Sequence, residues 1–191
     1  MVEISVVVPL YNEELNIHEL YNRLSKSVKS FTENYELLFV NDGSADNTLK
    51  ELKNYGNNDK HLKYISFSRN FGHQKAILAG LSNASGKAIV IIDGDLQDPP
   101  ELIPELYSKF SEGYHVVYAK RSARKGESVF KKYTAKMFYR LLKKITSIDI
   151  PLDTGDFRII SQEVAHQLKN MEEKNIFLRG QIGRASCRER V

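Results

Sequence analysis

Residues 89–101 read IVIIDGDLQDPPE, and the rest of the chain is best understood outward from them. A short apolar run stops at Asp93 and is followed by Gly94, Asp95, Leu96, Gln97 and Asp98. Continuous apolar strands belong to sheets buried on both faces, and ligands of open α/β sheets collect beyond the carboxyl ends of such strands. Side chains alternate along an extended segment, so Asp93 and Asp95 are expected on one side, with the Gln97 amide oxygen next in step. Two carboxylates and an amide are hard oxygen donors suited to Mg²⁺ or Mn²⁺, ions that usually complete their coordination with substrate phosphates. The cluster points to a bound diphosphate. Taken alone, it reads equally well as a polar turn capping a helix that begins near Pro100.

The flanking sequence supports the sheet. Strands are expected at 4–8, 36–40, 64–67, 88–92 and 116–118, and helices at 16–29, 48–55, 74–82 and 100–111. This alternation predicts an open, mostly parallel sheet with helices on both faces. Past residue 120 the pattern changes to a long basic helix, an Asp/Gly-rich loop, a strand at 157–160 and a further helix. Each of the first four strands runs into polar residues: Pro9, Tyr11 and Glu13; Asp42, Gly43 and Asp46; Arg69, Asn70 and His73; Asp93 and Asp95. Any one of these loops has a bland reading, since Asp42-Gly43 is a good turn and Asp46 or Asn47 a good helix N-cap. Four in succession at one sheet edge predict a shared cleft. There is no G-x-G-x-x-G and no P-loop signature, which disfavours dinucleotide folds and P-loop kinases and leaves the metal to carry most of the diphosphate charge.

Residues 182–191, IGRASCRERV, back-translate as ATC GGA AGA GCG TCG TGT AGG GAA AGA GTG, which reads as a sequencing-library adapter in frame, and they are set aside. The natural sequence is then expected to break off near Gly180 or Gln181. The single cysteine, Cys187, goes with the tail, which excludes disulfides and cysteine metal sites and suits a reducing compartment. The formal charge of +4 loses the tail's three Arg and one Glu and becomes +2. Residues 118–146 hold ten Lys/Arg and one Glu, a net of +9, so the remainder of residues 1–181 sums to −7. One basic segment on an otherwise acidic domain predicts an anionic partner for that segment. No signal peptide precedes the first strand, and no apolar run approaches the roughly 18 residues of a membrane span.

VVVPLYNEE, VNDGSADNT, SRNFGHQ, DGDLQDPPE and LDTGDFRI, in this order and spacing, resemble family 2 glycosyltransferases with the GT-A fold. More narrowly they resemble the polyprenyl-phosphate type, which includes dolichol-phosphate mannosyltransferase and bactoprenol glucosyltransferases. The likeness covers nearly all of residues 4–180. It implies a nucleotide-sugar half at 1–119 and an incomplete acceptor-side half at 120–181. It implies that Pro9, Tyr11, Glu13 and Asp42 line the base and ribose pocket, with Asp93 near ribose and metal. Asp93, Asp95 and Gln97 would hold Mg²⁺ or Mn²⁺ against the diphosphate of a UDP- or GDP-sugar. Arg121, Lys132 and Arg179 would receive the phosphate of a polyprenyl lipid, and Asp156 is the implied catalytic carboxylate. The family also implies C-terminal membrane helices beyond this chain and a cytoplasmic, peripheral position on the inner membrane face.

The implied chemistry is an inverting transfer. A phosphate monoester, with a second pKa of about 6, is already ionised at neutral pH, so Asp156 is open to two roles, base or positioning group. The helix expected over 127–146 carries Val129, Tyr133, Met137 and Leu141 on one stripe and Lys132, Lys136, Arg140 and Lys143 on other faces. It reads as a surface helix packed on the sheet, as a basic helix lying on an anionic membrane, or as a mixture of both. No motif supports nucleic-acid binding. His73, at a helix start, is placed to approach donor phosphates; the other histidines show no zinc spacing. The alternatives are a transferase acting on a polysaccharide or other sugar, and a non-catalytic nucleotide-sugar-binding fragment. Phe177-Leu178-Arg179-Gly180 stands where processive synthases carry Q-x-x-R-W, and the first loop lacks the Gly/Arg-rich character of nucleotidyltransferases.

Overall fold

The structure is a computed structural model, and it describes residues 1–120 and 154–170. Eleven elements follow in order: β1 (Ile4–Leu10), α1 (Ile17–Lys29), β2 (Tyr35–Asn41), α2 (Thr48–Asn58), β3 (Leu62–Ser66), α3 (His73–Asn83), β4 (Ala88–Ile91), α4 (Ile103–Ser111), β5 (Val116–Lys120), β6 (Thr154–Ser161) and α5 (Gln162–Lys169). A 3₁₀ turn at Pro100–Leu102 leads into α4. The strands form one sheet in the order β3-β2-β1-β4-β6-β5. β1, β2, β3 and β4 pair in parallel, while β6 runs antiparallel to both β4 and β5.

The strands are apolar without a break because both faces are covered. Val6, Val8, Leu37, Phe39, Val90 and Ile159 face α1, α2 and α4 in one core layer. Val7, Leu38, Ile89, Ile91 and Ile160 face α3 and α5 in the other. α3 lies close on β1 because Gly80 has no side chain; a Cβ there would sit 2.2 Å from Val7 Cγ1. At the opposite edge from the cleft, Glu36 ties the sheet together. Its buried carboxylate accepts hydrogen bonds from Ser5 Oγ at 2.6 Å, Lys63 Nζ at 2.7 Å and the Ser85 backbone N–H at 2.8 Å.

The expected alternation holds through β5. The sequence pattern did not place β6 inside the sheet, between β4 and β5. Its direction has a simple cause. Lys120 and Thr154 are register partners, so the chain leaves β5 and re-enters β6 at the same sheet edge, and no crossover is required. The basic helix expected over 127–146, and the sites Arg121, Lys132 and Arg179, lie outside the described residues. Among those described, no helix is long and apolar enough to cross a membrane.

Candidate functional site

The loops after β1, β2, β3 and β4 converge on an open cleft of about 300 Å³, lined among others by Pro9, Tyr11, Glu13, Asp42, His73, Asp93 and Asp95. The first two loops are laced together. Asn12 adopts φ 57°, its amide donates to Ser44 Oγ at 3.0 Å, and its Oδ1 accepts from the Ala45 amide at 2.9 Å. The Glu13 amide donates to Thr48 Oγ1 at 3.0 Å, and Glu14 Oε2 accepts from the Asn47 amide at 2.7 Å. The result holds Tyr11, 48% exposed, at the rim. Asp46 rather than Asn47 serves the start of α2, its Oδ1 accepting from the Thr48 amide at 3.0 Å.

Asp42 is buried, and both of its oxygens are engaged by the third loop. The Phe71 amide donates to Oδ1 at 2.7 Å and the Gly72 amide to Oδ2 at 2.9 Å. Gly72 sits at φ 99°, a conformation that favours glycine, and it delivers the chain into α3 with His73 as the first helical residue. Asp42 thus aims the loop that carries His73.

β4 ends at Ile91, one residue earlier than the sequence pattern implies, and a turn begins at Gly94. Leu96 takes φ 59°, and Asp95 Oδ1 accepts from the Gln97 amide at 3.1 Å. Gly94 is packed against the first strand; a Cβ there would meet Leu10 Cδ2 at 2.3 Å. The strict alternation expected to join Asp93, Asp95 and Gln97 therefore stops at Asp93. Asp95 still lines the cleft, while Gln97 is exposed and is not among its lining residues.

What Asp93 meets instead comes from β6. Ile91 pairs with Arg158 at the end of the antiparallel ladder, and just beyond that pair the carboxylates of Asp93 and Asp156 come within 4.8 Å of each other. Both lie on the α3 side, where His73 begins its helix. His73 Nε2 is 3.4 Å from Asp93 Oδ1 and 3.7 Å from Asp156 Oδ2. Burial raises the Asp93 pKa, the neighbouring carboxylates of Asp156, Asp95 and Asp98 raise it further, and His73 opposes them. Arg158, 1% exposed, orients Asp156. Its Nη2 donates to Asp156 Oδ1 at 2.9 Å and its Nε to the Asp156 carbonyl at 3.0 Å, and its guanidinium lies 5.3 Å from the Tyr118 ring centroid. Sequence reasoning passed over Arg158. The signal available was an arginine inside an apolar strand, Phe157-Arg158-Ile159-Ile160, which demands a partner.

The donor set fits a divalent cation. One ligand atom each from His73, Asp93 and Asp156 lie within 4.8 Å of one another. Asp93 Oδ1 is buried and, among the described residues, accepts no hydrogen bond, His73 Nε2 standing 3.4 Å from it.

Comparison with known proteins follows the same lines. The family model described as glycosyl transferase family 2 matches residues 5–169. The uncharacterized glycosyltransferase YkcC of Bacillus subtilis (strain 168) is 58% identical over 181 residues, covering 95% of this chain and 56% of that protein. The bactoprenol glucosyl transferase of Shigella phage SfV is 42% identical over 182 residues, covering 93% of this chain and 58% of that protein. The chain thus spans a little over half the length of these curated relatives. Among solved structures, the mannosyltransferase PcManGT from Pyrobaculum calidifontis in complex with GDP-Man and Mn²⁺ superposes with TM-score 0.67 at 18% identity, over 94% of this chain and 50% of that one. S. aureus TarS 1–349 in complex with UDP-GlcNAc gives 0.63 at 21%, over 97% and 53%. These likenesses establish the GT-A fold.

Proposed function

Because this chain belongs to glycosyl transferase family 2, we propose that its cleft binds a UDP- or GDP-sugar and that the protein transfers the sugar, with inversion, to a polyprenyl phosphate at the cytoplasmic membrane face. The observation that carries the reading is the convergence of four strand-end loops on one cleft that places Asp93 and Asp95 together with Pro9, Tyr11, Glu13 and Asp42. The bactoprenol glucosyl transferase relative supports the lipid acceptor. Residues 1–119 form the donor half, residues 120–181 belong to the acceptor half, and residues 182–191 are not part of the natural protein.

Each residue has a stated task in this reading. Tyr11 and Glu13 border the base and ribose, on a rim kept in place by Asn12, Ser44 and Thr48. Asp42 holds the loop that closes the donor side. Asp93 and Asp95 present oxygens to Mg²⁺ or Mn²⁺; when bound, the ion would stabilise negative charge on the departing diphosphate as a Lewis acid. Asp156 faces the reacting carbon and steers the incoming phosphate, its orientation fixed by Arg158. Arg121, Lys132 and Arg179, with the basic helix, receive the lipid phosphate and meet the anionic membrane surface.

Calorimetry with UDP, GDP and their sugars tests the donor half directly. One nucleotide is expected to bind with Mn²⁺ and to lose most of its affinity on adding EDTA or in Asp95→Ala. Equal affinity with and without metal, or no binding of either nucleotide, overturns the reading.

A further inference from the structure

On the transferase reading given above, we propose that Tyr118 is a positioning residue for the transfer step: its ring holds the buried Arg158 guanidinium, and Arg158 in turn holds Asp156 towards the cleft. The three side chains lie on one face of the sheet. Tyr118 and Arg158 are direct partners across β5 and β6, and Arg158 pairs on its other side with Ile91 of β4. Side chains alternate along a strand, so Asp156, two residues before Arg158, shares that face. Arg158 reaches back along β6. Its Nε donates to the Asp156 carbonyl at 3.0 Å and its Nη2 to Asp156 Oδ1 at 2.9 Å. Its Cζ lies 5.3 Å from the centroid of the Tyr118 ring.

A guanidinium that is 1% exposed keeps its charge, so its surroundings have to hold it in place. Hydrogen bonds lie in the guanidinium plane and fix its edges, while its faces are held by what stacks on them. The attraction of a cation to an aromatic face grows as water is excluded. Tyr118 is partly buried against the layer that holds Ile91 and Ile160. An aliphatic side chain would fill the same space, but it offers a cation no electron-rich face. Tyr118 is also the last residue of β5 before the register with β6 shifts, between Tyr118 and Lys120. The ring thus stands where the strand departs towards the acceptor half, and a displacement there reaches Asp156 through one guanidinium. Reacting groups tolerate little of this, since a shift of about 1 Å can cost roughly 10²-fold in rate.

The test is kinetic, in a chain completed to the length of its relatives, with undecaprenyl phosphate as acceptor and UDP- and GDP-hexoses as donors. Tyr118→Leu is expected to cut kcat by roughly 10-fold and to leave the donor KM within about twofold of wild type. Tyr118→Phe, which keeps the ring, is expected to turn over as wild type does. Added to Asp156→Asn, Tyr118→Leu is expected to cost nothing further, because it acts through that carboxylate. Phenylalanines of increasing fluorination at residue 118 keep the shape and drain the ring face, so kcat should step down along the series without loss of folding. Full turnover in Tyr118→Leu, a loss that Tyr118→Phe shares, a loss that multiplies with that of Asp156→Asn, or a level kcat along the fluorinated series overturns the inference. Normal turnover in Asp156→Asn overturns it as well. The donor reading fails on a different result, nucleotide binding to the 191-residue chain that is absent or indifferent to metal, so the two failures are told apart.

Discussion

Replacing Asp42 with alanine tests whether this residue works chiefly as a loop clamp. Asp42 is 3% exposed and accepts the Phe71 amide at 2.7 Å and the Gly72 amide at 2.9 Å. A hydrogen bond to an ionised acceptor contributes roughly 1.5–3 kcal/mol, and water can still approach Phe71 and Gly72, so the low end applies to each. Two such bonds come to about 3 kcal/mol, which in a domain of this size lowers the melting temperature by roughly 6–12 °C. Asp42→Asn retains one acceptor oxygen and is expected to lose about half as much. The same change frees the entry to α3, so His73 should drift from Asp93 and Asp156. Thermal and urea denaturation of the two variants, followed by circular dichroism, provide the measurement. If Asp42→Ala melts within about 2 °C of wild type while nucleotide affinity collapses, the clamp argument is wrong and the carboxylate acts mainly as a ligand contact.

Two further expectations concern charge. Hydrogen bonding from Arg23 lowers the Glu101 carboxyl from its ordinary 4.5 to about 2, so the pair's stabilisation is present above pH 4.5 and fades as pH falls towards 2. Both side chains are partly exposed, which screens the pair to under about 1 kcal/mol; Arg23→Ala should flatten this acid limb in urea titrations, and an unchanged slope would count against it. Asp156→Asn, assayed in a chain completed to the length of its relatives, should leave nucleotide affinity in place and cut kcat by roughly 10²-fold or more; near-normal turnover would return Asp156 to a purely structural role beside Arg158.

Much of the fold was legible as pattern. Apolar runs such as 4–8 and 88–92 have to be buried on both faces, and a helix between each successive pair leaves a parallel sheet as the economical solution. The polar loops at the strand ends were legible for the same reason, because alternation brings every such loop to one edge. The five motifs in register carried the family. Local pattern could not reach further than local geometry. It placed the strand at 88–92 and carried the side-chain alternation on through Asp95 and Gln97, whereas packing of Gly94 on Leu10 and the positive φ of Leu96 end that alternation at Asp93. It read Asp42-Gly43 as a turn, and could not show that the Asp42 carboxylate also accepts from Phe71 and Gly72, about thirty residues away. It set Asp156 in a loop before a strand, but the partner of that strand is a matter of long-range pairing. Once β6 enters antiparallel between β4 and β5, its last pair with β4, Arg158 with Ile91, brings Asp156 near Asp93 just beyond the ladder and buries Arg158 beside it. Periodicity is a property of neighbours in sequence; the meeting of His73, Asp93 and Asp156 depends on strand order and register, which no stretch of the chain encodes alone.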